Sequence, residues 1–318
     1  MTLSLRRSAP PAPAPTGSKR RAQEKRRVRT YPGERALRNV VIIIVAGSLL
    51  GLTAYPIGLA FVGSFHYWNP LVGAFDFVGL ENYTTILSSA DFWGAMLRTG
   101  GFSAIVIFFR VALGLAIAAA IFSKVTRGKT FFRTIFYMPT VTPLVAVAYV
   151  WQMMYNPQTG AINTFFGLDL NWLYDPQLAL PSIMAMTIWK DFGYAVILFL
   201  AGLHAVPEDA LEAASVDGAG AWQRFWRITF PLLAPMTVFV VITSIISYLQ
   251  AFVQVLVLTK GGPGTSTQLI SYLIYDKAFL KYDFGYASAA AFILLIVTAL
   301  LTLISFRFAT GRKSSLEG

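Results

Sequence analysis

The chain has 318 residues, of which 56% are hydrophobic and 13% are charged, whereas a soluble domain carries about 25% charged residues. This composition argues against an ordinary soluble domain and indicates a protein embedded in a lipid bilayer. The chain has no cysteine and only two histidines, His66 and His204, so the sequence predicts no disulfide, no metal site and no redox or zinc chemistry.

The N-terminal tail, residues 1–38, holds eleven of the 26 Lys and Arg residues against two Glu residues, and it contains a Pro-Ala run at 10–15. Such a segment has too much charge and too few apolar residues to form a core. We expect a disordered cytosolic tail that lies near anionic lipid headgroups. Basic residues beside an apolar span usually orient a chain in the membrane, so no nucleic-acid partner is expected.

Six apolar runs are long enough, at roughly 20 residues or more, to cross a hydrocarbon core. The predicted spans are 40–64, 97–122, 132–153, 179–203, 232–258 and 287–307. The first run is too long for a signal-peptide core and should remain as an anchor. We therefore expect an all-α membrane protein of about six transmembrane helices, with a transmembrane domain at 39–308 and a short cytosolic C-terminal tail at 309–318.

The distribution of positive charge predicts the orientation of these spans. The two terminal tails, the connection between the second and third spans and the connection between the fourth and fifth spans together hold 20 Lys and Arg residues. The three remaining connections hold only Lys260, Lys277 and Lys281. Because positive charge concentrates on the cytosolic side, both termini are expected there. The connections 65–96, 154–178 and 259–286 then face outward.

A polar segment at 204–231 separates the fourth and fifth spans on the predicted cytosolic side. Pro207 suits a first helical position, and acidic residues such as Glu208 and Glu212 favour the positive end of a helix that begins there. Gly218 is a helix stop, because glycine readily adopts the left-handed conformation. We expect a short helix, a bend at 218–220 and a second helical stretch that reaches Pro231.

Within this segment Glu212-Ala213-Ala214, Gly218 and the later Ile228 and Pro231 resemble the EAA loop of ATP-binding-cassette importer permeases. Further matches to the carbohydrate branch, related to maltose and glycerol-phosphate permeases, lie at 201–203, 206–207, 217–219, 225–228, 77–83 and 258–263. The resemblance covers about residues 36–308. Phe230 departs from the family pattern, which more often has Leu before Pro231.

The resemblance implies a type I importer permease fold in a bacterial cytoplasmic (inner) membrane and a chain that is not itself an enzyme. The residues expected to couple the permease to its ATPase are Glu212, Ala213, Ala214, Asp217, Gly218, Ile228 and Pro231. The expected partners are a second homologous permease, a pair of cytosolic ATPase subunits, an extracytoplasmic solute-binding protein and membrane lipids. ATP and Mg would be used by the ATPase partner, and this chain would bind no cofactor.

Polar residues inside apolar spans are the best sequence guide to a solute route, because they are costly in hydrocarbon. Thr243, Ser247, Gln250 and Gln254 recur at helical spacing in the fifth predicted span, which places them on one stripe. The resemblance places the neighbourhood of Tyr248 and Gln250 near a sugar site. The alternative is that these residues only form hydrogen bonds between helices.

The fourth predicted span contains Lys190 and Asp191, with Tyr194 one turn further on, and the second contains Arg110. These charges can bind solute, pair with each other or with another chain, or line a wet cavity. Because adjacent helical residues point about 100° apart, a direct pair between Lys190 and Asp191 is not the default. If Lys190 and Arg110 face the route, an anionic solute such as a glycerol phosphate is favoured, whereas neutral-sugar permeases can also retain such charges for structural reasons.

We expect a permease subunit of an ATP-driven importer that moves a sugar or sugar-like solute to the cytosol. A glycerol-3-phosphate or glycerophosphodiester importer is the first alternative. A stand-alone secondary transporter is the second, since intramembrane charges can also couple transport to protons or ions. A membrane scaffold, in which the polar stripe only holds helices together, is the third.

Overall fold

A computed structural model describes residues 32–123 and 125–314 of the chain, and all but two of the elements in this part are helical. The helices are α1 Pro32–Leu49, α2 Tyr55–Gly63, α3 Glu81–Ser88, α4 Ala90–Phe122, α5 Lys129–Val141, α6 Leu144–Met154, α7 Ala161–Phe166, α8 Ala179–His204, α9 Glu208–Val216, α10 Ala221–Arg224, α11 Phe230–Leu232, α12 Ala234–Leu249, α13 Val253–Leu258, α14 Ile270–Tyr275 and α15 Phe284–Ser314. π-Helical turns lie at Leu50–Ala54, Phe225–Thr229 and Asp276–Leu280.

The predicted tails lie mostly outside the described residues. Residues 1–31 and 315–318 are outside them, so the prediction of a disordered N-terminal tail is not tested there. Helix α1 begins at Pro32 and α15 continues to Ser314, so residues 32–38 and 309–314 are helical. The helical part therefore extends beyond the transmembrane domain predicted at 39–308.

The described chain divides into one unit up to Tyr55 and a second unit from Pro56 onward. In the first unit, α1 and the turn Leu50–Ala54 expose apolar side chains such as Ile43 and Leu52. Continuous exposed apolar surface of this kind suits a helix that contacts lipid. The second unit contains the remaining helices and all residues of the candidate site.

Four helical stretches in the described residues are long and apolar enough to cross a membrane: Ala36–Gly63, Ala90–Phe122, Ala179–His204 and Phe284–Arg307. Two further stretches qualify only if each bent helix pair is taken as one span. The pair α5 and α6 bends by 94°, and the helical stretch Ala221–Leu232 bends by 62° where it meets α12. The structure thus agrees with six spans when the third and fifth are broken helices.

Proline accounts for the first of these bends. Pro139 lies inside α5, and Pro143 precedes the first residue of α6. Proline removes a backbone donor and disfavours helical geometry in the preceding residue, so a straight helix cannot pass through 139–143. At the end of α5 the carbonyl of Thr140 accepts a hydrogen bond from Lys190 of α8.

The fifth predicted span, 232–258, is not one helix, and the single polar stripe predicted along it is wrong. Helix α12 ends at Leu249, Gln250 has φ −102° and ψ 17°, and α13 begins at Val253. Tyr248 and Val255 lie in the same apolar cluster on either side of the break. The break lets both helices bury side chains in one core, which a continuous 3.6-residue period does not predict.

Helices α4 and α8 form the most extensive contact in the structure and carry the core that supports the site. A Cβ atom on Gly114 of α4 would lie 2.6 Å from the Cβ of Ala195 on α8, so the two backbones approach closely. Small residues at such contacts are typical of membrane helix pairs. Gly193 allows an even closer approach of α8 to α5, because an added Cβ on Gly193 would overlap the carbonyl of Phe136.

A short antiparallel hairpin was not predicted by the all-α assignment. Strands β1 His66–Asn69 and β2 Ala74–Phe77 pair with His66 opposite Phe77. The Nδ2 of Asn82 donates to the carbonyls of Ser64 and His66, both at 2.9 Å, and joins the hairpin to α3. The hairpin is a local addition to the connection at 65–96, and the rest of the described fold is helical.

Candidate functional site

The first helix predicted in the 204–231 segment is present as α9, Glu208–Val216. Pro207 is the residue before it, with φ −60° and ψ 127°, so it caps the helix and is not its first helical residue. Glu208 and Asp209 occupy the first turn. Their negative charge stabilises the positive end of the helix, as predicted.

The end of α9 is set by Gly218, which has φ +79°. The amide of Ala219 donates to the carbonyl of Ala214 at 2.9 Å, and the amide of Gly218 donates to that of Ser215 at 3.2 Å. This pattern closes the last turn around a left-handed residue, where glycine avoids a side-chain clash. The predicted bend is therefore confirmed, and its geometry depends on Gly218.

Helix α9 has an exposed face and a face that contacts the transmembrane helices. Ala213, Asp217 and Gly218 are exposed, Ala214 is half-buried, and Glu212 is exposed at the border of this face, where it also lines a cavity toward α4 and α8. On the other face, Leu211 packs against the apolar cluster of α4 and α8. A short helix that is anchored on one side and presents small and acidic residues on the other can dock into a partner and follow its movement.

The second helical stretch runs through α10, a π-helical turn and α11. The guanidinium of Arg224 donates to Oγ of Ser215 at 2.9 Å and so joins this stretch to α9. Ile228 is half-buried, and Pro231 is exposed. All seven residues predicted to couple the permease to an ATPase thus lie on one continuous, locally bonded segment.

A cavity of about 820 Å³ lies between this segment and the ends of α4 and α8. Its charged lining residues are Lys129, Glu208, Glu212 and Arg224. The apolar contacts of Leu211 and Phe225 with the cluster of α4 and α8 lie beside it. The segment therefore contacts the transmembrane helices through apolar side chains such as Leu211 and Phe225, beside a cavity that has both charged and apolar lining residues.

The second candidate region is a group of polar side chains from α4, α8 and α12, here called the buried cluster: Arg110, Lys190, Asp191, Ser244 and Tyr248. The guanidinium Nη1 of Arg110 donates to Oγ of Ser244 at 3.0 Å and to the hydroxyl of Tyr248 at 3.2 Å. The hydroxyl of Tyr248 in turn donates to Oδ2 of Asp191 at 3.0 Å. Arg110 is 6% exposed and Tyr248 is 2% exposed, so these bonds lie in the interior.

Lys190 forms the other edge of the buried cluster. Its Nζ lies 3.6 Å from Oδ1 of Asp191, so the two neighbours do form an ion pair, contrary to the default from helical geometry. The same Nζ donates to the carbonyl of Thr140 at 3.3 Å, and Oγ1 of Thr140 donates to the carbonyl of Lys190 at 3.0 Å. The long Lys190 side chain thus bends toward the end of α5, and its ammonium group contacts both the Thr140 carbonyl and the carboxylate of Asp191.

The structure brings together some of the predicted pathway residues and not others. Lys190, Asp191 and Tyr248 are in the buried cluster, and the ring of Tyr194 lies 5.2 Å from the Arg110 guanidinium carbon. Ser247 and Gln250 are exposed. Gln254 is buried on α13, beyond the break.

The sequence reasoning did not identify Thr140 or Ser244 as members of the candidate region. Ser244 lies four residues before Tyr248 on α12, so helical periodicity places the two on one face. That signal was available in the sequence. Thr140 could not be identified in this way, because its contact with Lys190 depends on how the interrupted α5 packs against α8.

Residues 110–312 match the family model described as "Binding-protein-dependent transport system inner membrane component". The chain is 36% identical over 242 residues to the sn-glycerol-3-phosphate transport system permease protein UgpA of Agrobacterium fabrum, covering 74% of this chain and 82% of that protein. It is 33% identical over 247 residues to the multiple sugar-binding transport system permease protein MsmF of Streptococcus mutans, covering 77% and 85%.

The fold is similar to a chain in the crystal structure of a bacterial ABC transporter involved in the import of the acidic polysaccharide alginate. The TM-score is 0.76 at 24% sequence identity, over 87% of this chain and 96% of that chain. The permease fold expected from the sequence is therefore confirmed. With the family match over more than half of its length, the chain belongs to the inner-membrane components of binding-protein-dependent transport systems and is a multi-pass ABC transporter permease.

Proposed function

We propose that this chain is one permease half of an importer that moves a sugar or sugar-like solute to the cytosol, with α9 as its coupling helix. The observation that carries the proposal is the two-sided structure of α9, which packs Leu211 inward and exposes Ala213, with Asp217 exposed at its end. The relatives named for sn-glycerol-3-phosphate and for multiple sugars support the solute class. The charge distribution supports cytosolic termini and a cytosolic position for the 204–231 segment.

In this proposal one subunit of an ATPase pair binds the exposed face of α9, and a second, homologous permease completes the pathway. An extracytoplasmic binding protein delivers the solute to the outward connections, and the ATPase subunits use ATP and Mg. Closure of the ATPase pair displaces α9, and the contacts of Leu211 and Phe225 pass the displacement to the cluster of α4 and α8. The same cluster contains Leu233 and Val240, so the movement also reaches α12.

The solute route passes the buried cluster and Tyr194. Hydroxyl and carboxylate groups can bind sugar hydroxyls, and an aromatic face can stack on a sugar ring. Ser247 and Gln250 lie on exposed parts of α12 and its end, where a solute between two permeases can reach them. Gln254 is buried on the separate helix α13, and it is the weakest of the proposed contacts.

The test of coupling compares two glycines of the same bend. Gly218 has φ +79°, whereas Gly220 has φ −65° and ψ 164°, and neither has an atom within 4 Å of an added Cβ. Gly218→Val places a β-branched residue in a left-handed conformation, which it strongly disfavours. Gly220→Val occupies an extended conformation that valine readily adopts. We expect the first variant to insert normally and lose ATP-driven uptake, while the second retains it.

The assay is uptake and ATPase activity of the reconstituted complex, with Glu212→Lys as a second coupling variant. Wild-type uptake by both Gly218→Val and Glu212→Lys would refute the coupling assignment. Tyr248→Ala should change solute-stimulated transport while ATPase binding is retained. ATP-independent uptake by the purified chain alone would instead support a stand-alone secondary transporter.

A further inference from the structure

Arg110 is a buried cation whose partners are all neutral. Its guanidinium donates to the hydroxyls of Ser244 and Tyr248 and lies over the rings of Tyr194 and Tyr248, at 5.2 Å and 5.6 Å. Its Nε is buried and has no hydrogen-bond partner. Within residues 36–123 and 125–307, the ion pairs join Lys190 to Asp191 and Lys281 to Asp276, and neither includes Arg110.

Asp191 is the nearest carboxylate in the hydrogen-bond network, but it does not neutralise the positive charge of Arg110. Asp191 accepts from Tyr248 through Oδ2 and pairs with Lys190 through Oδ1. The carboxylate of Asp191 therefore pairs directly with one cation, Lys190, and is linked to Arg110 only through the hydroxyl of Tyr248. Lys190 has additional compensation, since its Nζ also binds the carbonyl of Thr140 in the last turn of α5, which carries partial negative charge. The positive charge that lacks a negative partner is that of Arg110.

A buried cation without a counter-charge is costly, and hydroxyl and ring contacts offset only part of that cost. An arriving anion would complete the site, because a guanidinium binds carboxylate and phosphate groups through several parallel donors. The cluster is not sealed on all sides: the Asp191 side chain is 26% exposed, and Tyr194 beside Arg110 is half-buried. A solute that moves past Tyr194 can therefore reach the guanidinium after a small rearrangement.

We infer that the transported solute is acidic and that Arg110 binds its carboxylate or phosphate group, with Tyr194 and Tyr248 flanking the attached sugar or glycerol. This inference rests on the proposed function, which it narrows from any sugar-like solute to one with a negative charge. The pairing of Asp191 with Lys190 keeps that carboxylate from repelling the solute. Carboxylate and phosphate share the chemistry that Arg110 would recognise, so the probes must separate them.

The experiment uses the complete importer, purified with its partner permease, ATPase pair and binding protein and reconstituted in liposomes. ATP-driven uptake is measured for a neutral disaccharide (maltose), a uronic acid disaccharide (digalacturonate) and sn-glycerol 3-phosphate. We expect one acidic probe to be transported in preference to maltose. Preference for digalacturonate assigns a carboxylate, and preference for glycerol phosphate assigns a phosphate.

The role of Arg110 is tested by comparing Arg110→Gln and Arg110→Lys with Arg98→Gln. Arg98 is also on α4, but its Nε donates to the carbonyl of Gln268 outside the cluster. Loss of a hydrogen bond to a charged group corresponds to roughly a ten- to hundredfold rise in the KM for the acidic probe in Arg110→Gln. Arg110→Lys should lose less because it keeps the charge, and Arg98→Gln should leave the KM unchanged.

The wild-type complex keeps the inference testable even if Arg110→Gln fails to fold. Uptake of maltose with no uptake of either acidic probe would overturn the inference and leave the importer function intact. An equal fall in uptake of neutral and acidic probes in Arg110→Lys would also overturn it, since the arginine would then be needed for the helix assembly and not for the solute. Uptake of a probe that does not require ATP would instead reject the proposed function itself.

Discussion

The 204–231 segment and the buried cluster are held together by different kinds of contact. In the segment, the bond between Arg224 and Ser215 joins residues nine positions apart, and the bend at Gly218 is closed by bonds within one turn. In the cluster, Arg110 binds Ser244 and Tyr248 across 134 and 138 positions, and Tyr248 binds Asp191 across 57. The segment is exposed and local, whereas the cluster is buried and depends on three helices meeting.

This difference indicates how each region can serve transport. An exposed segment whose shape depends on its own residues can bind a partner without first being assembled by the rest of the fold. A buried cluster that joins α4, α8 and α12 changes only when those helices move relative to each other. Movement produced at the first region is therefore expected to alter the second. The same amino-acid change should then have a small effect on stability in the segment and a large effect in the cluster.

The largest expected difference in stability is between variants of two aspartates, one in the buried cluster and one in the 204–231 segment. Asp191→Asn leaves Lys190 buried without a counter-charge, and we expect the free energy of unfolding to fall by about 3 kcal/mol. Asp209→Asn removes an exposed charge from the first turn of α9 and should cost less than about 1 kcal/mol. Denaturant titration of both variants in the same detergent measures the difference. Equal costs would show that the buried ion pair contributes no more than a surface charge.

The next contrast is between two glycines. Gly193→Ala places a methyl group against the carbonyl of Phe136, which separates α5 from α8 and should cost about 1–3 kcal/mol or more. Gly220→Ala meets no atom within 4 Å and keeps an allowed conformation, but Gly220 caps α10, where alanine is less favourable, so the change should be within about 1 kcal/mol of neutral. Thermal unfolding of both purified variants should shift in opposite directions or differ clearly in size. A stable Gly193→Ala protein would contradict the close approach of these helices.

The smallest contrast is between two serines that each bind an arginine. Ser244→Ala removes a buried partner of Arg110, and the expected cost is about 1–3 kcal/mol, because the guanidinium cannot turn to water. Ser215→Ala removes the partner of Arg224 at an exposed position, where water replaces the lost acceptor, and should change stability by about 0.5 kcal/mol or less. The same denaturant titration measures both. A larger cost for Ser215→Ala would contradict the distinction between the two regions.

The residues of the 204–231 segment could be predicted because local rules determine their structure. Proline before a helix, acidic residues in the first turn and glycine at its end each act within a few positions. The predicted helix, bend and second helical stretch are all present in the structure. The prediction differed in only one local detail, since Pro207 precedes the helix and is not its first residue.

The pathway prediction was less complete, because periodicity assumes a continuous helix. Ser247, Gln250 and Gln254 were placed on one face with Thr243, but the chain leaves the helix after Leu249. No glycine or proline lies at 250–252 to indicate that break. The ion pair between Lys190 and Asp191 was likewise not expected from the sequence. Helical geometry gives the direction of the Cα–Cβ bond, but it does not give the position of the ammonium group at the end of a long, flexible lysine side chain.

The sequence by itself determined that this chain is a multi-span membrane protein, identified its family through the EAA motif and located α9 with its bend, because hydrophobic length, charge bias and capping act locally along the chain. Only the tertiary structure decided which intramembrane charges meet. Arg110, Asp191 and Tyr248 lie on separate helices, and their contacts follow from the packing of α4 against α8 and from the broken fifth span. Packing across such sequence distances depends on the shapes of whole helices, which no local pattern records.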